Sequence, residues 1–360
     1  MSCYRPTESI AQALQGLYRS YGYDRFKVGE FEEYDLYAQN RNFLTGKQIL
    51  SFSDTNGRLL ALKPDVTLSV IRSTRPGGPL RKVWYTESVY RVPRNAYGFR
   101  EIMQTGLECI GPMDLYAMGE VLMLAARSLQ ELDRPYVLEL SHLGLLTGVL
   151  DAAALPARTA DAVLEAMGAK NVHALEALDL PDDTLALLTN LCRLSGPVES
   201  TLPRLLAMDL PPVSRQAAEE LEKLCRLPAC FGDYNITIDL SVISDREYYS
   251  GLVFRGFVDG VANPVLSGGR YDYLLHRMGH DGGGAGFAVY LNELERLPAE
   301  GTDYDVDVLL VYGPEDDPAQ VAATARDITA AGETVRVQPA GETAVTYRRR
   351  IGPDGREINS

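Results

Sequence analysis

Apolar residues recur at helical spacing near the start of the chain, at Ile10, Ala13, Leu14, Leu17 and Tyr18, and predict a helix over 5–20 that Gly22 stops. After the turn Asp54-Thr-Asn-Gly57, residues 57–64 read as a short strand, and Pro64 and Asp65 open a helix. Residues 83–91 and 100–110 are two strand-like runs around a Pro/Asn/Gly loop and predict a β-hairpin. Asp114 is a good N-cap for a helix through about Leu132, with Leu115, Met118, Val121, Leu122, Ala125 and Leu129 on its buried stripe. Residues 137–140 form a further short strand.

The pattern changes at about residue 143. Up to about 231 the chain is rich in Leu and Ala and poor in alternation, which predicts an insertion of short helices separated by Pro181, Pro197, Pro203 and Pro211-Pro212. Strand patterning returns at 235–242, where Ile236, Ile238, Leu240 and Val242 share one face, and again at 252–258. Gly268-Gly-Arg-Tyr-Asp272 reads as a tight turn, the glycines at 282–286 as a flexible connection, and residues 286–297 as a buried helix. Beyond a polar linker at 298–304, a strand at 306–311, a helix at 318–331 and a strand at 335–337 give one β-α-β unit followed by a charged tail. Parallel strands of this kind need neighbours to cover both faces.

Composition adds exclusions. A formal net charge of −14 gives a poor footprint for tRNA or DNA, whose phosphates require Lys and Arg. The one tight basic cluster, Arg348 to Arg350, reads as a solvated tail. Five cysteines without a Cys-x-x-Cys pair support neither a zinc site nor a disulfide framework. No signal segment or membrane-length apolar run is present, so a reduced, cytoplasmic protein without metal or cofactor is expected.

Candidate chemistry lies on the second strand of the hairpin. Residues two apart share a face, so Ile102, Gln104, Gly106, Glu108 and Ile110 line up, and Met103, Thr105, Leu107 and Cys109 point the other way. Gln104 and Glu108 flank a glycine that lets something approach the sheet. A carboxylate with an amide oxygen is what an α-ammonium or an imidazole N–H seeks. The same face also fits the plain solvent side of an antiparallel sheet. Asp65 fits a helix cap, Arg91 a surface salt bridge, and Tyr248-Tyr249 a core or interface pair.

Order along the chain adds to this. Leu62-Lys-Pro-Asp-Val-Thr67, Tyr90-Arg91, Gln104-Thr-Gly-Leu-Glu108, Glu247-Tyr-Tyr249, Gly268-Gly-Arg-Tyr-Asp272 and Gly286-Phe-Ala288 form a series that resembles the motifs of histidyl-tRNA synthetases, a class II synthetase family. The resemblance covers about residues 5–300. It implies an α+β class II aminoacyl-tRNA synthetase-like fold, a mainly antiparallel sheet flanked by helices. The domain would span 1–300 with the helical insertion at about 143–231. The α/β module at 304–360 would then resemble a truncated anticodon-binding domain. Residue by residue, Thr67, Gln104, Glu108, Tyr248 and Tyr249 match the family's histidine pocket, and Asp65 and Arg91 join them as candidate histidine-binding residues.

Departures from the family pattern are as informative. Its ATP-binding arginine falls on Glu293, the small glycine before it on Tyr290, its second catalytic arginine on Ser244, and a motif glutamate on Asp65. The loop after Arg91 is short and lacks the usual His-Glu. Adenylate chemistry needs cations where phosphate charge builds up, and a glutamate there repels. No catalytic residue is therefore assigned. The runs at 90–95 and 98–111 resemble the synthetase-like regulatory subunits of ATP phosphoribosyltransferase. That resemblance implies a non-catalytic partner of the short-form catalytic subunit in the first step of histidine biosynthesis. It further implies feedback by L-histidine and a homodimer within a hetero-oligomer, with no tRNA and no membrane. Two alternatives stay open: a working histidyl-tRNA synthetase, and a synthetase-like histidine-binding protein with another partner.

Overall fold

Alternating residues of the hairpin become two long strands, Arg81–Arg91 and Arg100–Gly111, paired antiparallel with Tyr85 opposite Gly106 and Val83 opposite Glu108. The structure is a computed structural model and describes residues 6–44, 48–92, 98–230, 232–243, 248–295 and 304–358. The chain divides into two compact units, Ile10–Leu297 and a smaller one that holds Pro298–Ser360 with Met1–Ser9.

A nine-stranded mixed sheet organises the larger unit. Its order is Asp24–Arg25, Arg81–Arg91, Arg100–Gly111, Gly283–Tyr290, Leu266–Arg270, Leu252–Val258, Tyr136–His142, Ile236–Asp239 and Ser195–Pro197. The pairings of 24–25 with 81–91 and of 136–142 with 236–239 are parallel, and the rest are antiparallel. Helices Pro6–Ser20 and Leu115–Gln130 contribute to the main core. The second is capped by Asp114, whose carboxylate accepts from the Ala117 N–H at 2.8 Å, and most of its residues are buried. Each such apolar side chain contributes about 1.5–3 kcal/mol on burial.

Two glycine runs depart from expectation. Gly268 and Gly269 lie within the strand Leu266–Arg270, not in a turn, and residues 283–290 form a central strand where a loop and a helix were expected. Among the described residues there, only Leu291–Leu294 is helical. The reason is close packing. A Cβ on Gly268 would fall 2.4 Å from Phe287 Cβ, and one on Gly284 2.4 Å from the Tyr271 ring, so a bulkier strand could not fit. A strand buried on both faces carries no alternation and cannot be told from a buried helix by periodicity.

Short helices fill 143–226, namely Leu143–Ala152, Ala157–Gly168, Val172–Glu176, Asp182–Cys192, Val198–Leu206 and Pro212–Arg226. Pro156, Pro181, Pro197 and Pro211 precede four of them, whereas Pro203 sits inside a helix and separates nothing.

Strand Val306–Tyr312 lies at the centre of a parallel three-stranded sheet in the smaller unit, between Val335–Pro339 and Tyr347–Ile351, with helix Pro318–Ala330. Arg348 to Arg350 are therefore part of a strand and not a solvated tail. Arg348 and Arg349 both pair with Glu333, which offsets their charge. Ile351 joins Val308, Leu310, Val321 and Ile328 in a core of its own. Among the described residues no helix is long and apolar enough to cross a membrane.

Candidate functional site

Glu108 is 2 % exposed and Gln104 4 %, and residues 104–110 are buried on both faces of the strand. The solvent-face reading of this strand is thereby excluded. Gln104 and Glu108 look into a small, partly open cavity of about 70 Å³. All seven residues singled out from the sequence, Asp65, Thr67, Arg91, Gln104, Glu108, Tyr248 and Tyr249, line it.

The glutamate is held on both oxygens. Thr67, the first residue of helix Thr67–Ser73, donates its hydroxyl to Oε1 at 2.5 Å, and Tyr271 donates to Oε2 at 2.5 Å. Asp65 accepts from the Leu68 N–H at 2.9 Å, so it caps the start of this helix and lines the cavity as well. At the end of strand Arg81–Arg91, the Arg91 guanidinium donates to Gln104 Oε1 at 3.4 Å.

Glycines make room for this arrangement. Gly286 stands opposite Glu108, and its absent Cβ would lie 1.9 Å from Oε2. The space over Gly106, expected to be open, holds the Tyr85 hydroxyl, which would sit 2.8 Å from a Cβ there. Gly269 likewise admits the ring of Tyr249. Tyr248 packs edge-on against Tyr249 and Tyr271, with ring centroids 4.8 and 6.0 Å away.

Burial sets the electrostatics. Desolvation pushes the Glu108 carboxyl up to about 8, the Thr67 and Tyr271 hydrogen bonds pull it back, and Asp65 raises it further. Asp65 is also raised, chiefly by burial, against the pull of its backbone hydrogen bonds and Arg91. Burial lifts Tyr85, Tyr248 and Tyr271 far above the usual phenol range, so they present neutral hydroxyls. The cavity thus combines acceptors, neutral phenols and one guanidinium, which is chemistry for a small zwitterion or cation.

Tyr85, Ser267, Tyr271 and Tyr290 also line the cavity and were not picked from the sequence. Tyr271 belonged to a quoted motif but was placed in a turn. Tyr85 needed the hairpin register, which aligns it with Gly106.

A family profile described as Histidyl-tRNA synthetase matches residues 3–294. The ATP phosphoribosyltransferase regulatory subunit of Alkaliphilus metalliredigens (strain QYMF) is 30% identical over 288 residues, which cover 76% of this chain and 72% of that protein. The chain belongs to the histidyl-tRNA synthetase-like family of ATP phosphoribosyltransferase regulatory subunits. Solved structures share its fold. One from Bacillus halodurans C, described as an ATP phosphoribosyltransferase regulatory subunit/histidyl-tRNA synthetase, superposes with a TM-score of 0.78 at 23% identity and covers 96% of this chain and 93% of its own. An ATP phosphoribosyl transferase (HisG:HisZ) complex from Thermotoga maritima gives 0.64 at 22% identity over 80% of this chain and 98% of the other.

Against the synthetase pattern, this regulatory-subunit family member has Glu293 on the short helix Leu291–Leu294, where Oε2 accepts from Asn263 Nδ2 at 3.0 Å. Tyr290, at the family's small-glycine position, lines the cavity. Ser244 and Glu247 lie outside the described residues.

Proposed function

We propose that this chain is the non-catalytic, histidine-binding subunit of ATP phosphoribosyltransferase, which activates a short-form catalytic subunit and relays feedback by L-histidine. The observation that carries the reading is Glu108, a buried carboxyl held by two hydroxyl donors in a synthetase-like pocket. It offers the α-ammonium a charge-assisted partner. Gln104, the tyrosine hydroxyls and Asp65 are left for the imidazole and Arg91 for the carboxylate. The relatives' shared name and the partnered Thermotoga maritima assembly support a hetero-oligomer. A cytoplasmic location without tRNA accords with the net charge of −14.

Adenylation has little support, because Glu293 stands where a triphosphate would need a cation. In the complex, histidine shifts the balance between active and inhibited states by no more than its difference in affinity for them.

The test mixes the pure chain with a short-form catalytic subunit and follows phosphoribosyl transfer to ATP, with and without histidine. Transfer should require both chains and fall as histidine is added, and the pure chain should show no histidine-dependent ATP–pyrophosphate exchange. Robust exchange, lost on pocket mutation, would instead establish a histidyl-tRNA synthetase. Histidine binding without any effect on transfer would point to a sensor with another partner.

A further inference from the structure

The charges around Glu108 do not balance among the described residues. Among the described residues, its two oxygens accept from hydroxyls only, those of Thr67 and Tyr271. From the strand beside it come Tyr85 and, at the far end, Arg91, whose guanidinium is directed at Gln104. Tyr248 and Tyr249 face it from the segment before strand Leu252–Val258, and Tyr290 ends the strand opposite. Cys109 is the next residue of its own strand and points to the other face. Asp65, the second carboxyl, lines the same cavity. Among the described residues, two carboxyls and one guanidinium line the cavity, and neither oxygen of Glu108 has a cation as partner. An isolated buried carboxylate costs several kcal/mol, and a group in that position takes up a proton instead.

We propose that ligand capture at this pocket is proton-coupled: Glu108 is a neutral acid in the free chain, and an arriving ammonium expels its proton to solvent. The proposal rests on the reading of the pocket as an amino-acid site. The exchange balances as carboxylic acid plus ammonium giving an ammonium–carboxylate pair plus one proton, with no covalent bond to the ligand. Thr67 and Tyr271 serve both states. Thr67 Oγ1 can accept from the protonated acid, and both hydroxyls donate to the carboxylate once the ammonium has arrived. The displacement of the carboxyl's ordinary range to about 8 fits this geometry.

Proton coupling gives the site two properties. Ligand affinity rises with pH up to about 8 and then levels off, because the proton competes with the ammonium. A ligand lacking the amine cannot displace the proton and gains no charge pair, so the site selects amines by chemistry as well as by shape.

Carboxyl-carbon NMR on the full chain, with its glutamates labelled, tests the idea. One glutamate should remain protonated at pH 7 in the free chain and become ionised when histidine saturates the site. Calorimetry at pH 7 in phosphate and in Tris, whose ionisation heats differ, should read ~0.9 proton released per histidine, given a carboxyl titrating at about 8. Glu108→Gln should lose that release, and the difference removes any contribution from the ligand's own imidazole. Histidine binding with every glutamate already ionised, or with one still protonated in the complex, would overturn the proposal and leave the histidine reading standing. Absence of histidine binding to the folded wild-type chain would overturn both.

Discussion

Gly286 faces Glu108 directly across the central strand pair, and a Cβ on it would lie 1.9 Å from the glutamate's Oε2 and 2.4 Å from the Leu107 carbonyl oxygen. The glycine is thus what allows a carboxyl to stand on this face of a buried strand. Real Cβ atoms do not approach that closely, so any other residue must displace the carboxyl or the backbone. Gly286→Ala is expected to cost about 1–3 kcal/mol as an overpacking change and to abolish measurable histidine binding. Urea unfolding and calorimetry check the two effects separately, and full-affinity binding would show that Glu108 is not part of the site.

Glu108→Gln keeps the shape and removes one charge. A charge-assisted hydrogen bond contributes about 1.5–3 kcal/mol, so histidine affinity should fall roughly 10- to 150-fold. In complex with the catalytic subunit, the same variant should keep phosphoribosyl transfer and need more histidine to inhibit it. Loss of transfer at zero histidine would assign the residue to assembly. Normal inhibition would place the sensor elsewhere.

The contribution of Glu108 to the stability of the free chain should fall as pH rises. The folded carboxyl of Glu108 titrates at about 8 against an ordinary 4.5, so the folded state keeps a proton that the unfolded chain releases. Its contribution is fully present below about 4.5 and is lost as pH rises through about 8, with a slope of up to ~1.4 kcal/mol per unit between them. Urea midpoints of wild type and Glu108→Gln, compared from pH 5 to 8, should show a flatter profile for the variant. Parallel profiles would mean that Glu108 is ionised in the folded chain.

Lys63 is fully buried and donates to Glu87 at 2.6 Å, with the exposed Glu30 at 3.5 Å as its second partner. Glu87→Ala leaves that ammonium without its buried partner and should destabilise the fold by about 3–5 kcal/mol. Joint replacement, Lys63→Met with Glu87→Leu, should recover most of the loss. Denaturant unfolding of the three variants decides it, and a single-variant cost below about 1 kcal/mol would mean that Glu30 or water compensates.

Local chemistry was legible in the sequence wherever it sits on one element. The alternation of Gln104, Gly106 and Glu108 placed them on one face, Asp114 marked the start of its helix, and the motif order brought Thr67, Arg91, Tyr248 and Tyr249 into the same argument. The first two follow from strand and helix periodicity, which one chain segment determines alone, whereas the gathering of Thr67, Arg91, Tyr248 and Tyr249 rested on the resemblance of the motif series to a known family.

Tertiary structure decided what depends on two segments at once. The strands at 266–270 and 283–290 form because Gly268, Gly269, Gly284 and Gly286 leave space for Phe287, Tyr249, Tyr271 and Glu108, and a glycine run by itself looks the same in a loop. Arg348 to Arg350 lie in a strand in which Arg348 and Arg349 pair with Glu333 and Ile351 completes a small core. The state of Glu108 likewise depends on no neighbour in sequence. It depends on hydroxyls 41 and 163 residues away and on there being no cation partner for it among the described residues, because the cost of burying a charge is set by what surrounds it in space.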